Sequence, residues 1–391
     1  MKKLSIKRLY VLISLYCVFA NFAHPVTPTI IHNLKLAEYM FGVAFSVMSF
    51  GILVFSPFWS KIASEYGSVK ISMICLVGYG VGQGVFGIAT NEIEIIVGRL
   101  ISGFFVGGIS VTQLLYVIEN QIEEKRSSNL AIIAMLYAIF SPVGYLFGGF
   151  LGDYSIKLTF LLQVIGLIFC GLIYPIILKD AEIERKKSKL KIMIIEANPI
   201  KVVYDSRNVI DSKVIVYLTI VFLGSFALTC HDQVFNYYIK DILNFPPSYN
   251  GLLKALVGVM ATIFNATVCV YIMKKTNIQK SLISILVITS VFLLAVIFLN
   301  AQFIFVMINI IVYGFFAVYQ PVVQAVLAFI CKKEGATIVG VFNSFKSLGM
   351  VLGSLFAGFV YSFGSEQAFK VALVATLMAA LFAYINNRQM N

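Results

Sequence analysis

Apolar stretches about twenty residues long recur along the whole 391-residue chain, separated by short polar loops. No other feature constrains the fold as tightly. A helix rising about 1.5 Å per residue needs about twenty residues to cross a hydrocarbon core about 30 Å thick. Composition agrees, with 60% of residues hydrophobic and 12% charged, whereas soluble domains carry roughly 25% charged residues. The runs are nearly continuous, which fits helices and not the alternating strands of a membrane barrel. They predict an all-α integral membrane protein with twelve transmembrane helices. The expected spans are 9–31, 39–61, 70–89, 93–118, 129–152, 157–178, 214–240, 250–272, 280–299, 302–330, 338–363 and 368–386. Met1-Lys2-Lys3 before an apolar run resembles a signal peptide superficially. That run is too long, contains Pro25 and Pro28 and lacks a small-x-small cleavage site, so it reads as helix 1.

Lys and Arg set the orientation. Of 30 in the chain, 23 flank the side of the N-terminus, 5 fall in the opposite loops, and Arg99 and Lys346 lie inside helices. The positive-inside rule then places both termini in the cytosol of a multi-pass cell-membrane protein. The same distribution excludes nucleic acid, because the formal charge of +12 is dispersed over membrane-flanking loops rather than gathered on a binding face. The longest polar segment, 179–213, holds nine basic and six acidic residues. It reads as a cytosolic linker against anionic lipid headgroups, with a regulatory site as the minority alternative. The linker divides an N-terminal six-helix bundle, 1–178, from a C-terminal one, 214–391. The six cysteines show no metal spacing, and the chain has no phosphate-binding Gly-rich loop and no His-Glu-x-x-His. The expectation is a protein that is not an enzyme, uses no cofactor or metal and does not itself hydrolyse ATP. Abundant Ile, Lys and Asn point to a bacterial source.

The halves resemble each other. Gly103-Phe104-Phe105 with Gln113 on helix 4 recurs as Gly314-Phe315-Phe316 with Gln324 on helix 10, an offset of 211. Leu146-Phe147-Gly148-Gly149-Phe150 on helix 5 recurs as Leu355-Phe356-Ala357-Gly358-Phe359 on helix 11, an offset of 209 that Gly144 and Gly353 also obey. A parallel repeat of six helices is an established transporter architecture with its substrate site near the bilayer midplane.

Three places then give a resemblance, over the whole chain, to the major facilitator superfamily. Between helices 2 and 3, residues 57–70 stand where that family has Gly-x-x-x-Asp-Arg-x-Gly-Arg-Arg. Gly67 and Lys70 match, while Ser60 replaces the first Gly, Ser64 the Asp and Glu65 the Arg. On helix 4, Gly98-Arg99-Leu100-Ile101-Ser102-Gly103 is similar to the family's Arg-x-x-x-Gly pattern. On helix 5, Ser141-Pro142-Val143-Gly144-Tyr145-Leu146-Phe147-Gly148-Gly149 resembles the Gly-Pro-x-x-Gly-Gly motif of antiporters, with Pro142 three residues early. The resemblance implies two six-helix bundles, a loop that clamps the cytosolic gate by charge pairing, and helices 1, 4, 7 and 10 lining a central cavity. Without the family, Gly144, Gly148 and Gly152 are explained by close helix packing.

Ionisable residues inside spans are rare, and such positions are usually functional. His24, Arg99, His231 and Asp232 fall on helices 1, 4 and 7, in the outer halves of their spans, and are the candidates for proton coupling. Asp232 would take up and release a proton as Arg99 approaches or withdraws. The alternatives are a static pair between helices 4 and 7, or an Asp232 lying in extracellular water, with the histidines as packing residues. Asn309, Tyr313, Gln320 and Gln324 share a face of helix 10 near Phe316, and Ser225, Asp232 and Asn236 share one of helix 7. With Asn21 and Gln113, these residues are candidates for the cavity lining, interhelical hydrogen bonding being the equal alternative. The leading functional expectation is a monomeric secondary transporter in membrane lipid, exporting drugs or other amphiphiles against protons. The alternatives are proton-coupled transport of a sugar, metabolite or lipid-linked solute, and a non-transporting sensor or assembly factor.

Overall fold

The computed structural model describes residues 2–181, 185, 211–299, 301–330 and 335–390, which form helices and short connections. Helix 1, expected unbroken over 9–31, is instead two helices, α1 (Lys2–Ala20) and α2 (Thr27–Asn33), joined by turns through 21–26. The cause is local. Pro25 has no amide hydrogen to give to the carbonyl four residues back, and its ring crowds that carbonyl. Pro28 sits at the start of α2, where the missing donor costs nothing. Thr27 bridges the break, donating to the Ala23 carbonyl from its hydroxyl at 2.9 Å and its amide at 3.1 Å.

The remaining helices follow the expected order: α3 (Met40–Tyr66), α4 (Ser68–Gly87), α5 (Glu92–Asn120), α6 (Glu123–Tyr154), α7 (Ile156–Ile177) and α8 (Ser212–Asp241). Then come α9 (Pro247–Lys275), α10 (Ile278–Phe298), α11 (Gln302–Ile330), α12 (Gly335–Tyr361) and α13 (Ser365–Met390). Among the described residues, eleven of these helices are long and apolar enough to cross a membrane, and the broken α1–α2 stretch supplies a twelfth segment. Several starts carry a cap that satisfies free amides. The Asn91 side chain accepts from the Glu94 amide, Ser155 from Leu158 and Asp211 from Val214. α9 contains one π-helical turn, Asn265–Cys269.

The chain separates into two compact units. Unit 1 comprises Met1–Leu36, Val47–Lys201 and Pro246–Ala255, and unit 2 comprises Ala37–Ser46, Val202–Phe245 and Leu256–Asn391. The core of unit 1 is built on Leu9, Leu12, Ile13, Leu76, Tyr79 and Leu167, and that of unit 2 on Tyr217, Leu286, Val318, Tyr319, Val322 and Val326. The first turns of α3 thus belong with unit 2, and the first turns of α9 with unit 1.

Both segments are held by a glycine seam. In unit 2, a Cβ on Gly42 would stand 2.8 Å from the Cα of Gly358. Ser354 donates to the Gly42 carbonyl at 2.8 Å, and Ser46 to the Val351 carbonyl at 3.0 Å. In unit 1, a Cβ on Gly251 would stand 3.2 Å from the Cα of Gly149. There the Ser248 amide donates to Asp153 at 3.0 Å and Asn250 to the Pro25 carbonyl at 3.3 Å. Gly42 and Gly251 are 209 residues apart, and so are Gly149 and Gly358. The seams are therefore copies made by the duplication, and backbone contact at both requires a residue without a side chain.

Candidate transport site

In unit 1 the sequence candidates gather around α5 and the broken first span. Arg99 is buried; its Nη2 donates to Thr27 Oγ1 at 3.0 Å, and its Nη1 lies 3.5 Å from the Met48 sulfur. The guanidinium carbon sits 4.1 Å from the centre of the Phe86 ring, a cation–π arrangement that offsets part of the loss of water. The α1–α2 break matters here, because it delivers the Thr27 hydroxyl to Arg99. His24 stacks on Tyr145, with ring centres 5.3 Å apart. Lys254 Nζ lies 6.0 Å from the centre of the same ring. Lys254 lies on α9, inside the expected span 250–272, and is 8% exposed. Pro247 opens that helix, as proline favours a helix start. Asn21 donates to the Cys17 carbonyl at 2.7 Å, and Gln113 accepts from the Tyr137 hydroxyl at 2.9 Å. The α6 glycines seat this set. A Cβ on Gly144 would meet the Val18 carbonyl, one on Gly148 the Phe22 carbonyl and one on Gly152 the Val26 side chain. Pro142 lies within α6 without ending it.

In unit 2, α8 and α11 bring their candidates together. Asp232 accepts from the Tyr313 hydroxyl at 2.8 Å on one oxygen and from Gln233 at 3.2 Å on the other. Its neighbour His231 is fully buried, with Nε2 2.8 Å from Asn309 Oδ1. Asn309 gives its Nδ2 to the Phe305 carbonyl at 2.8 Å, so the oxygen faces the histidine and Nε2 carries the hydrogen. Aromatic rings enclose that imidazole: Tyr313 at 4.9 Å, Phe316 at 5.9 Å and Phe369 at 6.0 Å between centres. Asn309, Tyr313 and Phe316 are thus packed and bonded within the unit, whereas Asn236 and Gln320 are half-buried and Gln324 is exposed. The polar stripe of helix 10 divides into a structural part and an accessible part. Arg99 and Asp232 each have partners within their own unit.

Residues 9–316 match the sequence model of the Major Facilitator Superfamily. The chain belongs to this superfamily. Multidrug resistance protein 2 of Bacillus subtilis is 20% identical over 349 residues, which cover 89% of this chain and 86% of that protein. Quinolone resistance protein NorA of Staphylococcus aureus is 21% identical over 368 residues, 93% of this chain and 92% of NorA. Among solved structures, the bacterial homologue of the human lysosomal transporter Spinster, inward-facing and unoccupied, superposes with a TM-score of 0.79 at 13% identity. That superposition covers 99% of this chain and 97% of the other. Membership in the Major Facilitator Superfamily makes the protein a multi-pass membrane transporter and not an enzyme.

The superfamily's helix 2–3 loop is altered in this member, and the structure shows what stands in its place. Gly67, at φ 103°, caps α4, a conformation that favours glycine. Asp180, just past α7, brings an acid to this loop: its Oδ1 accepts from the Val69 amide at 2.8 Å and the Ser68 hydroxyl at 3.3 Å. Arg185 brings a base to the same loop. It forms a two-pronged pair with Glu119 at the end of α5, both bonds 2.9 Å, and donates to the carbonyls of Ser64 at 2.8 Å and Ala63 at 3.3 Å. The hydrogen bonds to Glu119 hold the Arg185 guanidinium above its ordinary pKa. Ser64 keeps a local bond, donating to the Lys61 carbonyl at 2.8 Å, and Lys70 is exposed. Sequence comparison of the loop alone missed Asp180, Arg185 and Glu119, because these charges lie on other segments. The rest of the 179–213 linker, including Lys186 and Lys187, lies largely outside the described residues.

Proposed function

We propose that this protein is a proton-coupled exporter of drugs or other amphiphilic small molecules, working by alternating access from a cytosolic-termini orientation. The observation that carries the reading is Asp232, a carboxylate two-thirds of the way along a transmembrane helix and bonded to the Tyr313 hydroxyl. An acidic side chain at hydrocarbon depth costs about 2.5–3.5 kcal/mol on insertion scales and is kept where its charge is used. A phenol donates to the ionised carboxylate and accepts from the protonated one, so Tyr313 can hold Asp232 in both states while solvation around them changes. A chain with 34 Phe and 20 Tyr and few charges in its spans suits bulky apolar or cationic solutes, and the names of the two resistance proteins above motivate the choice of drugs. In unit 2 the half-buried Asn236 and Gln320 and the exposed Gln324 are the candidates to meet solute, and in unit 1 the half-buried Asn21 is.

One observation favours a second reading. Arg99 has no carboxylate within ion-pair distance among the described residues, so a solute carrying an acid group would complete it. Everted vesicles energised with a proton gradient separate the two readings. Uptake of cationic dyes that competes with uncharged drugs supports the first. Uptake of organic acids only, lost in Arg99→Gln, supports the second and refutes the first.

A further inference from the structure

A groove of about 480 Å³ opens laterally in unit 2, between α8, α12 and α13. It exists because two glycines draw α12 onto α8. A Cβ on Gly349 would meet the Phe222 carbonyl and one on Gly353 the Phe226 carbonyl. The rings of Phe222 and Phe226 are left as a floor, and Phe356 packs edge-on against Phe226 at 5.6 Å. Polar side chains occupy one end only, where Gln367 and Lys370 lie one turn apart on α13. From Lys370 to Met378, at the apolar end, the helix climbs about 12 Å, close to the roughly 15 Å depth of one leaflet's hydrocarbon. Lys370 lies five residues into α13, on the side of the membrane away from the termini, where a lysine reaches the headgroup layer. Glu366 stands 3.9 Å from it, and both side chains are well exposed.

We propose that this groove is a binding site for a phospholipid of the leaflet opposite the termini, with a phosphoethanolamine headgroup. One acyl chain lies on the Phe222–Phe226 floor, the phosphate meets Lys370 and Gln367, and the ammonium meets Glu366. The length of the groove selects one chain in one leaflet, and the adjacent Lys–Glu pair selects a headgroup carrying both signs. A purely anionic headgroup would set its charge beside Glu366, and a trimethylated one would lose the ammonium hydrogens that a carboxylate accepts. The site is independent of the transported solute and of the coupling ion.

The test is native mass spectrometry of the purified full chain, with phosphatidylethanolamine, phosphatidylglycerol and phosphatidylcholine of matched chains. Wild type is expected to retain the ethanolamine lipid about fivefold better than the others, on the scale of one basic contact at a lipid surface. Glu366→Gln should level the three lipids, Lys370→Ala should weaken retention of all three, and Val371→Trp, which fills the groove, should reduce all adducts while the thermal midpoint stays near wild type. Equal retention of all three by wild type, or undiminished adducts in a folded Val371→Trp, overturns the assignment. So does a lipid-free dimer that Val371→Trp disrupts, since the groove would then belong to a second copy.

Discussion

Replacing Arg185 with alanine tests whether the linker stands in for the eroded helix 2–3 loop. The substitution removes two 2.9 Å bonds to Glu119 and two to the carbonyls of Ala63 and Ser64. The paired side chains are 14% and 8% exposed, which places them between a surface pair and a buried one. A surface pair contributes about 0–1 kcal/mol, and breaking a buried pair costs about 3–5 kcal/mol because a charge is stranded. The intermediate exposure gives an expected loss of about 2 kcal/mol for Arg185→Ala. Glu119→Gln should cost less, since the amide still accepts one bond. A double-mutant cycle, read by unfolding in mixed SDS–detergent micelles, should return a coupling of about 1–2 kcal/mol. Arg185→Lys should recover part of it, because lysine keeps the charge but not the fork. A coupling below about 0.3 kcal/mol would show that the two side chains act independently, and the replacement argument would fall.

Gly67→Ala should destabilise unit 1 by about 1–2 kcal/mol, since alanine pays for φ 103° and its Cβ meets the Asp180 carboxylate; the same unfolding assay reads it. Gly42→Val and Gly251→Val occupy equivalent places in the repeated seams and should each cost about 2 kcal/mol or more by overpacking, with similar thermal shifts; a large effect at one and none at the other would contradict their equivalence. Glu38 lies in the loop before α3, where burial and then the Asp241 carboxylate raise its pKa. Asp241 accepts from the Tyr361 hydroxyl at 2.9 Å, and the Tyr237 and Tyr361 rings complete the surroundings of the two acids. Since packing favours the protonated form of Glu38, the 37–46 segment should hold α8 and α12 more firmly as pH falls through that pKa, and less firmly above it. Disulfide trapping of Tyr39→Cys with Phe359→Cys, whose rings stack at 5.3 Å, should therefore change with pH, and Glu38→Gln should flatten the profile.

What the sequence made legible follows from solvent. Membrane spans announce themselves because a hydrocarbon core imposes length and apolarity, so eleven helices and the stretch containing α1 and α2 stand where twelve spans were read. The break at 21–26 was visible as Pro25 and Pro28, but hydropathy outweighed the prolines in the reading. The duplication was legible on α6 and α12, yet its most demanding residues, Gly42 and Gly251, lie in segments whose partners are far away in sequence. Asp180 and Arg185 were invisible for the same reason, since a motif compared position by position cannot show a charge delivered from another segment. At the candidate site, residue types pointed to Asp232 and Arg99, but partner identity depends on packing. The structure gives Asp232 a tyrosine and Arg99 a threonine, a thioether and a phenyl ring.

Proton coupling through Asp232 is most directly tested by dye efflux from preloaded cells, comparing wild type with Asp232→Asn at matched membrane abundance and thermal midpoint. Wild-type efflux should collapse on addition of an uncoupler. The variant should lose gradient-driven efflux by about tenfold or more, the equivalent of about 1.4 kcal/mol in the coupled step, while still exchanging dye down its own gradient. Wild-type, uncoupler-sensitive efflux in Asp232→Asn would contradict the account.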